Sequence, residues 1–152
     1  MPTLIDPRGP RFAATLTSVV LALVLLTAPG TLATVLLAAQ TAVFAVGAVA
    51  GVQHTPYALL FRTRVRPRLG APGEVEDAAP PRFAQAVGLG FALVGLIGLL
   101  TGVTTLGLVA VGFALAAAVL NAAIGFCLGC EIYLLTKRVA HRPARTTIVT
   151  TN

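Results

Sequence analysis

Charge is scarce in this sequence, and four long stretches lack it altogether. Only 11% of the 152 residues are Asp, Glu, Lys or Arg, against about 25% in a soluble domain. Phe12–Ala28, Thr31–Val52, Phe83–Leu100 and Leu106–Cys127 carry no charge, which excludes an ordinary water-soluble fold. Lysine is nearly missing: Lys137 stands alone against ten arginines. Cysteine is scarce too. Cys127 and Cys130 are the only two, and without a second Cys-x-x-Cys a zinc site is short of ligands. The apolar runs hold no paired carboxylates. The chain has no phosphate-binding glycine loop and no Ser-His-Asp set at useful spacing, so no cofactor site is expected.

What is present is hydrocarbon in membrane-sized lengths. A spanning helix needs about 20 apolar residues, within a range of ~17–25, and all four runs fit. The polar remainder is too short for a second, soluble unit, so residues 1–152 read as a single membrane domain whose first partner is the lipid bilayer. The net charge of +6 would suit a nucleic-acid binder, but four spanning runs would not, and no nucleic-acid partner is expected. All sixteen formal charges lie before the first run, between the second and third, or after the fourth. Basic residues at helix ends stay cytoplasmic. The expected placement is therefore a multi-pass protein of the cell membrane with both termini, the 62–82 loop and the 137–152 tail in the cytoplasm. A cleaved signal peptide, with Ala13–Leu26 as its apolar part, would invert this, but no clean small-x-small site follows it.

The chain also repeats itself. Pro10-Arg11-Phe12-Ala13 returns as Pro81-Arg82-Phe83-Ala84, an offset of 71. After each pair of apolar runs come a tyrosine, paired aliphatics and a basic residue: Tyr57–Arg62 and Tyr133–Arg138, an offset of 76. The expected fold is an all-α integral membrane bundle of four transmembrane helices, arranged as two tandem parallel helical hairpins related by an axis along the membrane normal. Pro29-Gly30 marks the first turn and Thr101–Thr105 the second, with Thr31 as the cap of the second helix. Gln40 and Asn121 are expected to bond between helices. Gly47 with Gly51, the series Gly88, Gly95, Gly98 and Gly102, and Gly125 with Gly129 read as close helix contacts. Tyr57 suits the headgroup level. The acidic, proline-rich linker 70–81 is expected to fold back on the arginines before it, and Thr146–Asn152 to be a disordered tail.

One constellation can carry chemistry: Cys127, Cys130 and Glu131, where the last apolar run meets basic residues. On a continuous helix the two sulfurs share a face, with Cβ atoms about 5–6 Å apart. Three readings stay open: structural packing, a thiol-redox or sulfur-carrying site, and a metal site drawing on His54. On that helix the cysteines lie at the negative end, which, with Glu131, disfavours thiolate. A static disulfide is not expected on the cytoplasmic side. Glu131 reads either as a general base or as an interfacial cap.

Asp6-Pro7-Arg8-Gly9-Pro10-Arg11-Phe12, Leu60-Phe61-Arg62, Val65-Arg66-Pro67-Arg68-Leu69, Glu74-x-Glu76-Asp77, Pro80–Gln85 and Phe126-Cys127-Leu128-Gly129-Cys130-Glu131 together resemble the bacterial four-helix membrane family catalogued as domain of unknown function 4395. The resemblance implies a fold and no established activity. It favours thiol or sulfur chemistry, because relatives are linked with thioredoxin-like or sulfurtransferase proteins. It thereby suggests a soluble thioredoxin-like or rhodanese-like partner. A second likeness is to the two-helix membrane domain attached to some rhodaneses, which ends in Cys-Pro-x-Tyr. Cys130-Glu131-Ile132-Tyr133 has Glu for Pro, and His54-Thr55-Pro56-Tyr57 has His for Cys. That likeness implies a fused pseudo-dimer with one active half. The competing class is a non-enzymatic scaffold or a permeation pathway for a sulfur-containing anion, in which a homodimer would supply eight helices and Gln40 and Asn121 would line the path.

Overall fold

The computed structural model describes residues 3–70 and 73–140. His141 and the tail beyond it lie outside the described residues. Four helices are long and apolar enough to cross a membrane: α1 (Arg8–Thr27), α2 (Thr31–Val49), α5 (Ala79–Thr101) and α6 (Thr104–Ile124). Between the two pairs lie a 3-10 turn (Val52–His54), α3 (Pro56–Leu60), a π-helical turn (Phe61–Val65) and α4 (Arg66–Leu69). The last helix, α7 (Leu128–Ala140), follows α6 after a break. The protein is an all-α membrane bundle built as two tandem helical hairpins.

The spans begin earlier than their apolar runs. α1 starts at Arg8 and α5 at Ala79, so Pro10, Pro80 and Pro81 fall in first turns. A first-turn residue has no intrahelical acceptor for its N–H, so proline costs nothing there. Asp6 Oδ1 accepts the Arg8 N–H and Asp77 Oδ1 the Ala79 N–H, both at 3.0 Å. Thr31 does not cap α2. It lies inside the helix, and Gly30 holds the cap position. In the acidic linker Glu76–Asp77 (β2) pairs antiparallel with Leu4–Ile5 (β1).

α1 packs on α2 and α6, and α5 packs on α6 and α2. The core is Leu21, Val24, Leu37, Phe44, Ala92 and Val111, with small residues between them. Glycine lets the second hairpin close tightly. A Cβ at Gly98 would lie 2.7 Å from Gly107 Cα, and one at Gly95 would lie 2.8 Å from a Val111 methyl. Gly102 belongs to no seam. It ends α5 in the left-handed region at φ 81°, where glycine is favoured.

The repeat is a structural one, with a pseudo-twofold axis along the bundle. Ile5 pairs with Glu76, its own counterpart at the offset of 71 (76 − 5), so the axis passes through that pair. Arg82 donates to the carbonyls of Ala48 and Val49 at the end of α2, both at 2.7 Å. Arg11 donates to those of Ala122 and Ala123 at the end of α6, at 3.5 and 3.4 Å. Each arginine thus satisfies orphan carbonyls of the other repeat, at the negative end of a helix. Phe12 and Phe61 stack with ring centroids 5.7 Å apart and planes at 43°; Phe83 and Tyr133 do so at 5.8 Å and 43°.

These pairs reset the register of the segments after each hairpin. Phe61 corresponds to Tyr133, an offset of 72 (133 − 61) rather than the 76 that the two tyrosines suggested. His54 is therefore not the counterpart of Cys130, and the alignment of His54–Tyr57 with Cys130–Tyr133 does not hold in space. Sequence letters misled because the aromatic that stacks is phenylalanine in one half and tyrosine in the other.

Candidate functional site

The expected continuous helix through the cysteines does not exist. α6 ends at Ile124, and Gly125 turns the chain at φ 73°. The first repeat breaks in the same way at Gly51, φ 104°. Positive φ costs glycine little and other residues much, so two glycines set where each span stops. Gly125 is thus a chain reversal rather than a helix seam, and the Arg11 side chain lies alongside it. Gly129 is a true close contact: a Cβ there would lie 2.6 Å from Cα and Cβ of Ala84. That contact seats the start of α7 on α5.

Cys127 now stands immediately before α7, in the N-cap position. Its Sγ accepts the N–H of Cys130 at 3.3 Å, and its carbonyl accepts the N–H of Glu131 at 3.0 Å. The cysteines are therefore at the positive end of a helix dipole, the reverse of the expectation from a continuous helix. Unpaired N–H groups at this end stabilise a thiolate and lower a cysteine pKa. Their Cα atoms are 5.2 Å apart, and Cys127 and Cys130 are joined by a disulfide, which was not expected. The N-cap geometry brings the sulfurs together where a regular helical turn would hold them apart. Both residues are half-buried, and Glu131 is exposed in the first turn of α7.

The first repeat shows what the site replaced. Thr55 is the N-cap of α3, and its Oγ1 accepts the N–H of Ala58 at 3.2 Å. At the offset of 72, Thr55 corresponds to Cys127 and Ala58 to Cys130. Only one half carries sulfur.

Gln40 makes the interhelical bonds expected of it, donating to Thr17 Oγ1 at 3.3 Å and accepting from the Tyr57 hydroxyl at 2.8 Å. Tyr57 turns its hydroxyl inward to Gln40. It is half-buried against Gln40, and burial pushes its phenol above the ordinary value of 10.0. Among the described residues Asn121 makes no such bridge; its backbone carbonyl accepts from Gly125 N–H, and it lines a cavity beside Cys127. His54 is held locally, with Nδ1 2.8 Å from the Ala50 carbonyl. Among the described residues no three His, Cys, Asp or Glu side chains are grouped to hold a metal ion.

The family model described as Domain of unknown function (DUF4395) matches residues 5–138. The chain belongs to the DUF4395 family. Neither a curated protein nor a solved structure matches it. The match to DUF4395 covers both hairpins, both helical segments that follow them, and the cysteines. Sequence reasoning missed Arg11 beside the cysteine-bearing segment and Thr55 as the first-half counterpart of Cys127. The repeated Pro-Arg-Phe-Ala tetrad already signalled Arg11; Thr55 carried no signal until the aromatic pairs fixed the register.

Proposed function

We propose that Cys127 and Cys130 are a redox-active dithiol at the membrane boundary that exchanges electrons with a soluble thioredoxin-like protein. The observation that carries this reading is the position of Cys127 at the N-cap of α7, with its sulfur accepting the Cys130 N–H. A thiolate of the partner attacks Cys130 Sγ, and Cys127 leaves as the thiolate that the helix terminus stabilises. The partner's second thiolate then attacks its own sulfur in the mixed disulfide and releases Cys130. The partner loses two electrons and becomes a disulfide; Cys127 and Cys130 gain them and become a dithiol. Glu131, exposed beside them, is placed to hand over protons.

The site faces the cytoplasm in this proposal. In the described residues every charge lies at one end of the bundle, with both arginine-capped helix ends. The two hairpin turns at the other end have none, and basic residues at helix ends stay cytoplasmic. Lys137, Arg138 and the Arg62–Arg68 group steer an acidic partner toward the site.

Alkylation and mass spectrometry of the native protein test the reading. Incubation with reduced thioredoxin should expose two alkylatable thiols, and reoxidation should hide them again. A thioredoxin whose second cysteine is replaced by serine should trap a mixed disulfide on Cys130. Thiols that react only after the protein is unfolded would mean packing, and a persulfide in place of a disulfide would move the reading to sulfur transfer from a rhodanese-like donor.

A further inference from the structure

A dithiol that cycles needs a second electron partner, and the bundle has a place for one. A cavity of about 970 Å³ opens along the pseudo-twofold axis at the charged end. That volume is at the top of the ~300–1,000 Å³ range of small-molecule pockets. Cys127 and Cys130 form part of its wall, and Phe91 and Phe113 bound it on the span side. Both phenylalanines are exposed on spanning helices, 38% and 63%, and their rings pair 6.2 Å apart. The cavity therefore reaches from the disulfide to the lipid-facing surface of α5 and α6.

Comparison of the two halves shows that the sulfur-bearing one has smaller side chains at the matching positions. The offsets are 71 for α1 and α5, 74 for α2 and α6 (125 − 51 for the two glycines), and 72 for the segments after them. Thr17 then corresponds to Gly88, Gln40 to Ala114, and Tyr57 to Gly129. The first half fills these positions with the hydrogen-bonded cluster of Tyr57, Gln40 and Thr17. The second half has two glycines and an alanine there; all three lie in the wall, with Gly88 packed against the Phe44 ring and Gly129 against Ala84. Phe44 corresponds to Ala118, which is also in the wall. Among the described residues Asp6, in the polar part of the wall, has a buried Oδ2 without a hydrogen-bond partner. Such an acceptor calls for a donor.

The geometry points to a lipid-soluble quinone as the ligand of this cavity and the oxidant of the dithiol; this rests on the redox reading above. An apolar tail fits the wall that reaches the lipid. A ring near the cysteines could accept a hydrogen bond from the Asn121 amide as quinone, and a hydroxyl as quinol could donate to Asp6 Oδ2. The step balances without another reagent. Two S–H bonds break, the Cys127–Cys130 bond forms, and the quinone takes two electrons and two protons to become a quinol.

The test uses the full-length protein in nanodiscs, reduced, freed of reductant and kept anaerobic, with decylubiquinone as the probe. One quinol should form per dithiol oxidised, and Cys127→Ser should abolish it. Ala118→Phe, which installs the ring its counterpart Phe44 supplies, and Ala117→Leu should each raise the quinone concentration for half-maximal rate by roughly tenfold or more. Retained exchange with thioredoxin shows that these variants are folded. Exchange with thioredoxin but no quinol in the unmodified protein overturns the quinone while the redox site stands; failure of both overturns both. Quinol formation that neither cavity variant slows would place the reaction outside the cavity and overturn the assignment.

Discussion

Thr55 and Cys127 are the same residue position in two halves of one molecule. Each is the N-cap of the helix that follows a membrane span, and each accepts the N–H three residues on, at 3.2 and 3.3 Å. One uses oxygen and the other sulfur. The equivalence makes a direct prediction. Thr55→Cys with Ala58→Cys should create a second disulfide in the first half, seen as four alkylatable cysteines after reduction and none before. Two thiols that stay alkylatable under oxidising conditions would show that the halves do not share this register.

The close approach of Gly129 to Ala84 makes that glycine hard to replace. Gly129→Leu should lower folded yield and thermal stability, with a cost on the order of 1–3 kcal/mol for forced overpacking. Leu100→Ala, at a position 68% exposed, should do much less. Equal behaviour of the two in a thermal-shift assay would rule out a tight seam between α5 and α7.

The Tyr57–Gln40–Thr17 cluster holds the segment after α2 against the bundle. Tyr57→Phe should cost about 1 kcal/mol, because it leaves the buried Gln40 oxygen without its donor. Burial raises the Tyr57 pKa above 10.0, so the folded state holds that proton more tightly than the unfolded state. This contribution is complete below pH 10 and is lost as pH rises through the folded pKa. The wild type should therefore lose more stability than Tyr57→Phe in that alkaline window, and parallel pH profiles would contradict the assignment.

Arg11 and Arg82 should contribute alike to stability and differently to reactivity. Arg11→Ala and Arg82→Ala should each lower the unfolding midpoint, since each frees two helix-end carbonyls. Only Arg11→Ala should alter the alkylation rate of the reduced cysteines, because Arg11 holds the end of α6 two to five residues before Cys127. Unchanged thiol kinetics in Arg11→Ala would detach this arginine from the site.

The proposed orientation is checked with single cysteines in a Cys127→Ser, Cys130→Ser background. Substitutions at Gly30 and Thr104 should be labelled by a membrane-impermeant thiol reagent from outside intact cells. Labelling only after the cytoplasmic side is opened would invert the topology.

The sequence alone determined the membrane class, the four spans and the twofold repetition. These depend on local quantities: apolar length, the placement of charge, and a repeated tetrad. It also singled out Cys127, Cys130 and Glu131, because no other residues with that chemistry border an apolar run. What it could not determine was the direction of the helix at the cysteines. An apolar run does not show where a helix stops when glycine stops it, and Gly125 reads equally as a packing residue or a chain reversal. Tertiary structure decided between them: Arg11, from the other repeat, holds the end of α6, and Ala84 receives Gly129 at the start of α7. That break turned the local field at Cys127 from the negative end of one helix to the positive end of the next. The cavity likewise depends on packing, which brings residues of α1, α5, α6 and α7 into one wall with Cys127.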